Sequence, residues 1–188
     1  GCYNPPMAIS TKFTHADLLV MPSDGKRREI MDGDLYVTPS PRFSHQAISV
    51  NLIAAFVRYL DQNPIGSVYY APLDVIFSEH DVVEPDVMFV LNEHRKILQD
   101  WVRGAPDLVV EILSPTTSSI DRGPKLKAYA RYGVTEYWIV DPEERAIEVY
   151  RLTQEGYQLT RSFGEEEVLS SPMLPSFHLQ VASLFQLG

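Results

Sequence analysis

The stretch from Asp107 to Leu113 constrains the fold of this chain most, because after its first residue it is apolar on both faces except for Glu111. Successive side chains of a strand alternate between its two faces, so Glu111 shares a face with Val109 and Leu113. A strand that is apolar on both faces is typical of the centre of a sheet covered on both sides. Burying a carboxylate there is costly unless it is paired or bound to a metal ion. The stretch therefore predicts a central strand that carries a functional acid, Glu111.

The rest of the chain predicts an α/β or α+β fold, with a central mixed sheet flanked by helices. Apolar residues at three-to-four spacing indicate a long helix that Ser44 caps and that runs to about Gln62. Asp32-Gly33 predicts the tight turn of a hairpin, and Ser78 to Asp81 reads as a polar turn. The other expected helices are His15 to Val20 and Pro124 to Tyr132. The other expected strands are Ser67 to Tyr70, Leu73 to Phe77, Asp86 to Leu91, Glu136 to Val140, Ile147 to Leu152 and Tyr157 to Phe163.

Length and composition indicate one globular domain. The chain has 188 residues, of which 45% are hydrophobic and 22% charged. We expect a flexible segment at residues 1–13 and a single domain at 14–188. Cys2 is the only cysteine, which excludes an intrachain disulfide and a cysteine-zinc site. No apolar run approaches the roughly 20 residues of a membrane-spanning helix, and no signal peptide is visible, so the cytoplasm is the expected compartment.

The net charge of −9 argues against a general affinity for nucleic acid, which usually requires a basic field. Any role on DNA would need a local basic patch, a metal ion that offsets acidic groups, or a partner.

Two carboxylates are the candidate metal ligands. Asp86 opens the apolar strand Asp86 to Leu91, as Glu111 interrupts the next apolar strand. Carboxylates at the ends of neighbouring strands could converge on one Mg²⁺ ion, which prefers one or two carboxylates together with water and phosphate oxygens. The alternative for each acid is that it caps a turn or pairs with an arginine.

Four segments of the chain together resemble the Uma2 family of restriction-endonuclease-like proteins, part of the PD-(D/E)xK nuclease superfamily. These are Glu84 to Val87, Pro106 to Thr116, Asp121 to Lys125 with Tyr129, and Gly133 to Pro142. The resemblance runs from about Thr14 to the C-terminus. It implies a restriction-endonuclease-like fold and a Mg²⁺-dependent hydrolase of phosphodiester bonds in nucleic acid, with DNA as the expected substrate and Mn²⁺ as a second possible ion.

The superfamily pattern pairs an Asp with a later Glu-x-Lys. Asp86 and Glu111 match it, but Leu113 stands where the lysine is expected. The resemblance implies that Lys125, on the following helix, supplies this charge and orients water or stabilises the transition state. On a helix Lys125 would align with Tyr129 and Tyr132. The alternative is a solvated surface lysine.

Glu29 and His45 complete the candidate site residues. Glu29 resembles the family's glutamate in its first hairpin and would be a third carboxylate at the metal site, although pairing with Arg28 is an alternative. His45 resembles a family histidine that faces the site, although histidines at helix starts are often structural.

Three other functions stay open. A catalytically degenerate nuclease-fold module that binds DNA or a protein partner would explain the acidic charge and Leu113. A hydrolase that uses Ser44 or Ser114 with His45 lacks a Gly-x-Ser-x-Gly turn and an orienting acid. The hairpin with Tyr150 and Tyr157 could form the interface of a homodimer, the commonest kind of assembly.

Overall fold

The computed structural model describes residues 11–186. Residues 1–10, which include Cys2 and most of the predicted flexible segment 1–13, lie outside the described residues, as do 187 and 188. The α-helices are α1 (His15–Leu19), α2 (Phe43–Gln62), α3 (Ser118–Ile120) and α4 (Leu126–Tyr132). A π-helical turn, Asp121–Lys125, joins α3 to α4, and Asn92–Ile97 and Val181–Phe185 are 3-10 helices.

The strands come in chain order as follows. They are β1 (Arg27–Met31), β2 (Asp34–Thr38), β3 (Gly66–Tyr70), β4 (Val75–Ser78), β5 (Asp81–Val83), β6 (Val87–Leu91), β7 (Val102–Arg103), β8 (Leu108–Ile112), β9 (Glu136–Asp141), β10 (Ala146–Thr153), β11 (Gly156–Phe163), β12 (Val168–Ser171) and β13 (Leu174–Gln180).

A six-stranded mixed sheet forms the centre of the fold, in the order β11-β10-β9-β8-β6-β3. The pair β8 and β9 is parallel, and the other neighbours are antiparallel. All five residues of β8 are buried, as expected for a strand covered on both faces. The predicted fold class, a central mixed sheet flanked by helices, is thereby confirmed.

Different elements cover the two faces of this sheet. The apolar face of α2 packs on one side, where the rings of Phe56, Trp138 and Phe177 stack on one another. On the other side, α4 packs together with a five-stranded sheet in the order β2-β1-β5-β4-β7. Glu111 lies on this second side, because it shares a face of β8 with Val109. Glu111 thus lies between two sheets and a helix.

The local predictions hold where periodicity or turn chemistry is strong. Asp32 and Gly33 take φ angles of 53° and 82°, as the predicted hairpin turn requires. The predicted cap of α2 is wrong, because the helix begins at Phe43 after Arg42 and no side chain caps it. The predicted polar turn already contains the first residue of β5, a strand too short to show alternation.

No helix within residues 11–186 is long and apolar enough to span a membrane.

Candidate active site

Strand pairing brings Asp86 and Glu111 together. β6 and β8 are antiparallel, with Val87 opposite Val110, so Asp86 and Glu111 lie opposite each other one residue further on. The backbone N–H of Ile112 donates to Asp86 Oδ2 over 2.8 Å. Both carboxylates are almost fully buried, with 4% and 1% of their surfaces exposed. The convergence expected from the sequence is therefore present.

A small cavity of about 20 Å³, enough for about one water molecule, lies beside these carboxylates. Its walls include all five site residues expected from the sequence. The complete lining is Arg27, Glu29, Thr38, His45, Asp86, Glu111, Thr117, Ile120, Asp121 and Lys125.

The Lys125 ammonium lies among three carboxylates. Its Nζ is 2.9 Å from Glu29 Oε1, 3.0 Å from Glu111 Oε1 and 3.5 Å from Asp121 Oδ1. With 3% of its side chain exposed, it is not the solvated surface lysine of the alternative reading. Burial alone would lower the pKa of Lys125, but the charges of Glu111, Glu29 and Asp121 raise it well above its ordinary value. The lysine therefore stays protonated.

The π turn explains how one short segment supplies both Asp121 and Lys125 to the cavity. Pro124 lies inside this turn and has no N–H for a regular helical bond, so the wider turn accommodates it. One turn later, Tyr129 donates to Glu111 Oε1 over 2.6 Å, in line with its expected alignment with Lys125. Tyr132 differs from expectation, because its hydroxyl donates to Asp81 instead.

Asp86 is held by three donors. Arg27 Nη1 lies 2.9 Å from Oδ1, while His45 Nε2 lies 3.0 Å from Oδ2, which also accepts the Ile112 N–H. Burial would raise the pKa of Asp86, but the hydrogen bond from His45 and the charge of Arg27 lower it below its ordinary value. Asp86 therefore remains ionised.

His45 separates the small cavity from a larger one of about 230 Å³ and lines both. Because Asp86 is ionised, the His45 Nε2 that faces it carries a proton. Among the described residues, nothing bonds to the buried Nδ1. An imidazole whose proton is on Nε2 leaves Nδ1 as a hydrogen-bond acceptor.

Glu29 faces the site from β1. Its Oε1 accepts the backbone N–H of Glu84 over 2.8 Å in addition to its contact with Lys125. The alternation of β1 turns Arg28 away, and Arg28 pairs with Asp24. The alternative pairing of Glu29 with Arg28 is therefore wrong.

The site holds four acidic side chains but two permanently charged cations. Glu29, Asp86, Glu111 and Asp121 face the cations Arg27 and Lys125. Burial raises the pKa of Glu111 well above its ordinary value; Lys125 opposes this shift, and the neighbouring carboxylates add to it. Burial likewise raises the pKa of Asp121. The pKa values of Glu111 and Asp121 are thus shifted in the direction opposite to that of Asp86. Opposite pKa shifts in neighbouring acids are typical of functional sites.

This donor set fits a divalent cation in charge and chemistry, because Mg²⁺ prefers carboxylate oxygens. In the part of the chain that the structure describes, no three His, Cys, Asp or Glu side chains are arranged to hold a metal ion together. A Mg²⁺ ion held by Asp86 and Glu111 would complete its shell with water and phosphate oxygens.

The serine-hydrolase alternative finds no support in this geometry. Ser44, His45 and Ser114 line the same larger cavity, but Ser114 Oγ bonds to Thr116 and Thr117. Across residues 11–186, no serine hydroxyl hydrogen-bonds to His45, whose Nε2 is engaged by Asp86.

Comparison with known proteins agrees with the geometry. The profile of the Uma2 family, described as "Putative restriction endonuclease", matches residues 15–182. The chain belongs to the Uma2 family. The resemblance seen in the four sequence segments is thereby confirmed.

This Uma2 protein is similar in sequence to one curated protein and similar in structure to solved proteins. It is 29% identical over 135 residues to "Uncharacterized protein slr1290" of Synechocystis sp., covering 70% of this chain and 69% of that one. A crystal structure titled as a "putative nuclease belonging to DUF820" from Anabaena variabilis superposes with a TM-score of 0.77 at 22% identity, covering 93% and 98% of the two chains. That likeness shows a shared fold. The type IIG restriction endonuclease BpuSI gives a TM-score of 0.41 at 14% identity over 77% of this chain and 16% of that chain, too low to carry an argument.

Two charged residues that line the small cavity, Arg27 and Asp121, are not among the candidate site residues predicted from the sequence. Arg27 belongs to a run of basic residues that reads as a solvated surface, and Asp121 lies in a polar segment that reads as the start of a helix. Alternation along β1 could have found Arg27, because it shares a strand face with Glu29.

Proposed function

We propose that this protein is a Mg²⁺-dependent nuclease that hydrolyses phosphodiester bonds in DNA. The observation that carries the proposal is the pair Asp86 and Glu111, which lie opposite each other on adjacent strands and line one cavity with Lys125. Membership of the Uma2 family supports the same class of reaction. Mn²⁺, which also accepts carboxylate ligands, is the second ion to test.

In this proposal Asp86 and Glu111 hold the ion. Bound there, a divalent cation would lower the pKa of a coordinated water molecule and stabilise charge on the phosphate. His45 and the Ile112 N–H fix Asp86 through Oδ2. Lys125 and Tyr129 fix Glu111 through Oε1, so the two ligands are positioned before an ion arrives.

A degenerate module that binds DNA or a protein partner is the second candidate. The observation that favours it is that Lys125, Arg27 and His45 already satisfy the carboxylates by internal pairs. Such a protein would keep the fold without affinity for a divalent ion.

The homodimer stays a prediction. The structure weakens the argument that Tyr150 and Tyr157 form its interface. Tyr157 donates to the carbonyl oxygen of Val134, and its ring packs against Tyr137 of the same chain. Tyr150 also packs against Tyr137 and donates to Glu148. These tyrosines are thus engaged inside one chain.

Calorimetric titration of Mg²⁺ and Mn²⁺ tests the nuclease proposal on the wild type and on Asp86→Asn. Asp107→Asn is a matched control, because buried Asp107 also accepts one backbone N–H, from Leu91, and one histidine contact, from His94, away from the cavity. We expect the wild type and the control to bind the ion and Asp86→Asn not to bind it. The wild type and the control should also cleave a labelled DNA duplex, and Asp86→Asn should not. Absence of ion binding in the wild type would favour the degenerate module.

A further inference from the structure

Oδ1 is the oxygen of Asp86 that a cation could reach, and Arg27 contacts this oxygen. Oδ2 already accepts the Ile112 N–H at 2.8 Å and faces His45 Nε2 at 3.0 Å. Oδ1 faces Arg27 Nη1 at 2.9 Å. An ion that Asp86 coordinates through Oδ1 must therefore share this oxygen with Arg27 or displace its guanidinium.

The other cation of the cavity, the Lys125 ammonium, is surrounded by carboxylates. An ammonium group has three N–H donors, and the Lys125 Nζ has three carboxylates within 3.5 Å. Its side chain is 3% exposed, whereas that of Arg27 is 20% exposed. Of the two, Arg27 is the one that reaches towards solvent.

Arg27 also keeps unused donors. A guanidinium carries five N–H groups, and within residues 11–186 its one hydrogen bond is the contact with Asp86. The nearest other acid, Glu84, lies 3.7 Å from Nε, which is beyond hydrogen-bonding distance. The planar fork of arginine matches two phosphate oxygens at once, which a lysine cannot do.

We propose that Arg27 is a catalytic residue that contacts the substrate phosphate, and that a divalent ion held by Asp86 and Glu111 would free its guanidinium for this contact. The proposal rests on the proposed nuclease function and names the group that recognises the phosphodiester. Arg27 Nη1 places a positive charge beside Asp86 Oδ1. Once freed from this contact, its guanidinium would donate to the oxygens of the substrate phosphate.

Ion affinity and the salt dependence of DNA binding test this proposal together. The proteins are the wild type, Arg27→Gln, Arg27→Lys and the control Arg131→Gln, which removes an arginine paired with Asp32 outside the cavity. Mn²⁺ binding is measured by calorimetry. Binding of a fluorescent DNA duplex is measured by anisotropy over a salt series, with Ca²⁺ and with EDTA.

In Arg27→Gln we expect Mn²⁺ to bind roughly fivefold more tightly, because a like charge near the ion is gone. With Ca²⁺, the duplex should bind about tenfold more weakly, because a charge-assisted contact is lost. The salt slope should then be shallower by about one, the signature of one lost phosphate contact. With EDTA the slopes of wild type and variant should agree, because Arg27 is then engaged by Asp86.

Arg27→Lys keeps the positive charge but loses the planar guanidinium. The salt slope of its DNA binding should therefore stay close to that of the wild type, while its affinity for the duplex falls. Weaker Mn²⁺ binding by Arg27→Gln with an unchanged slope would overturn the proposal, since Arg27 would then only position Asp86. If the wild type binds the duplex without cutting it, the nuclease function fails while the slopes still decide the role of Arg27. If it cuts and the slopes agree in Ca²⁺, only the Arg27 proposal is overturned.

Discussion

Replacing Lys125 by methionine is the most informative perturbation of this protein. Methionine keeps an unbranched apolar stem in the same space but removes the ammonium that lies among Glu29, Glu111 and Asp121. The three carboxylates are almost fully buried, with at most 2% of their surfaces exposed. They would be left to repel one another in a region from which water is largely excluded.

The expected loss in the free energy of unfolding follows from the number of ion pairs that Lys125→Met removes. Removing one partner of a buried ion pair costs about 3–5 kcal/mol, and one ammonium here serves two short contacts and a longer one. We therefore expect a loss of about 5 kcal/mol in the free energy of unfolding near pH 8.

The loss of unfolding free energy in Lys125→Met should be smaller at low pH. Burial already raises the pKa of Glu111 and Asp121, and removal of Lys125 takes away the charge that opposes this shift. The folded variant then binds more protons than the unfolded chain, so its stability falls as the pH rises. One extra proton held from about pH 5.5 to about pH 8 corresponds to about 3 kcal/mol, so the deficit should fall to about 2 kcal/mol near pH 5.5.

Urea unfolding followed by the fluorescence of buried Trp138 measures this deficit against the wild type at each pH. Lys127→Met is the matched control, because Lys127 is an exposed lysine two residues away in α4. The control should lose little stability at any pH. A deficit in Lys125→Met that stays constant with pH, or that equals that of Lys127→Met, would refute the reasoning.

Two further predictions concern neighbours of the site. Tyr129→Phe removes the 2.6 Å hydrogen bond to Glu111 and should cost about 1.5–3 kcal/mol in urea unfolding, whereas a loss below ~0.5 kcal/mol would show that this bond is not needed. Burial raises the pKa of Glu84 to about 7, so Glu84 favours the folded state at low pH, and this contribution is lost as the pH rises through about 7. Glu84→Gln should therefore flatten the pH dependence of stability in this range, and an unchanged profile would contradict the assignment.

Much of the fold could be predicted from the sequence because its signals are local. The helix α2 follows a 3.6-residue period along 20 residues, and Asp32-Gly33 supplies the positive φ angles of a hairpin turn. Glu111 was found because it is the one acid in a strand that is otherwise apolar on both faces. The structure confirms that this segment is a buried strand of the central sheet.

The elements that were missed or misplaced lack such signals. β5 has three residues and β7 has two, which is too short for alternation to show. The sequence predicts that a helix begins at Pro124, but the helical path begins at Ser118 and widens into a π turn around the proline. That turn is what places Asp121 within 3.5 Å of Lys125.

The sequence by itself determined the longer strands and helices, and that Glu111 had to be paired or bound once buried. Only the tertiary structure decided which charges meet, because Arg27, Glu29, Asp86 and Lys125 come from parts of the chain that are far apart in sequence. Their ionisation depends on burial and on neighbours a few ångströms away, and local patterns do not carry this information. For that reason the same acid type has a lowered pKa at Asp86 and a raised pKa at Asp121.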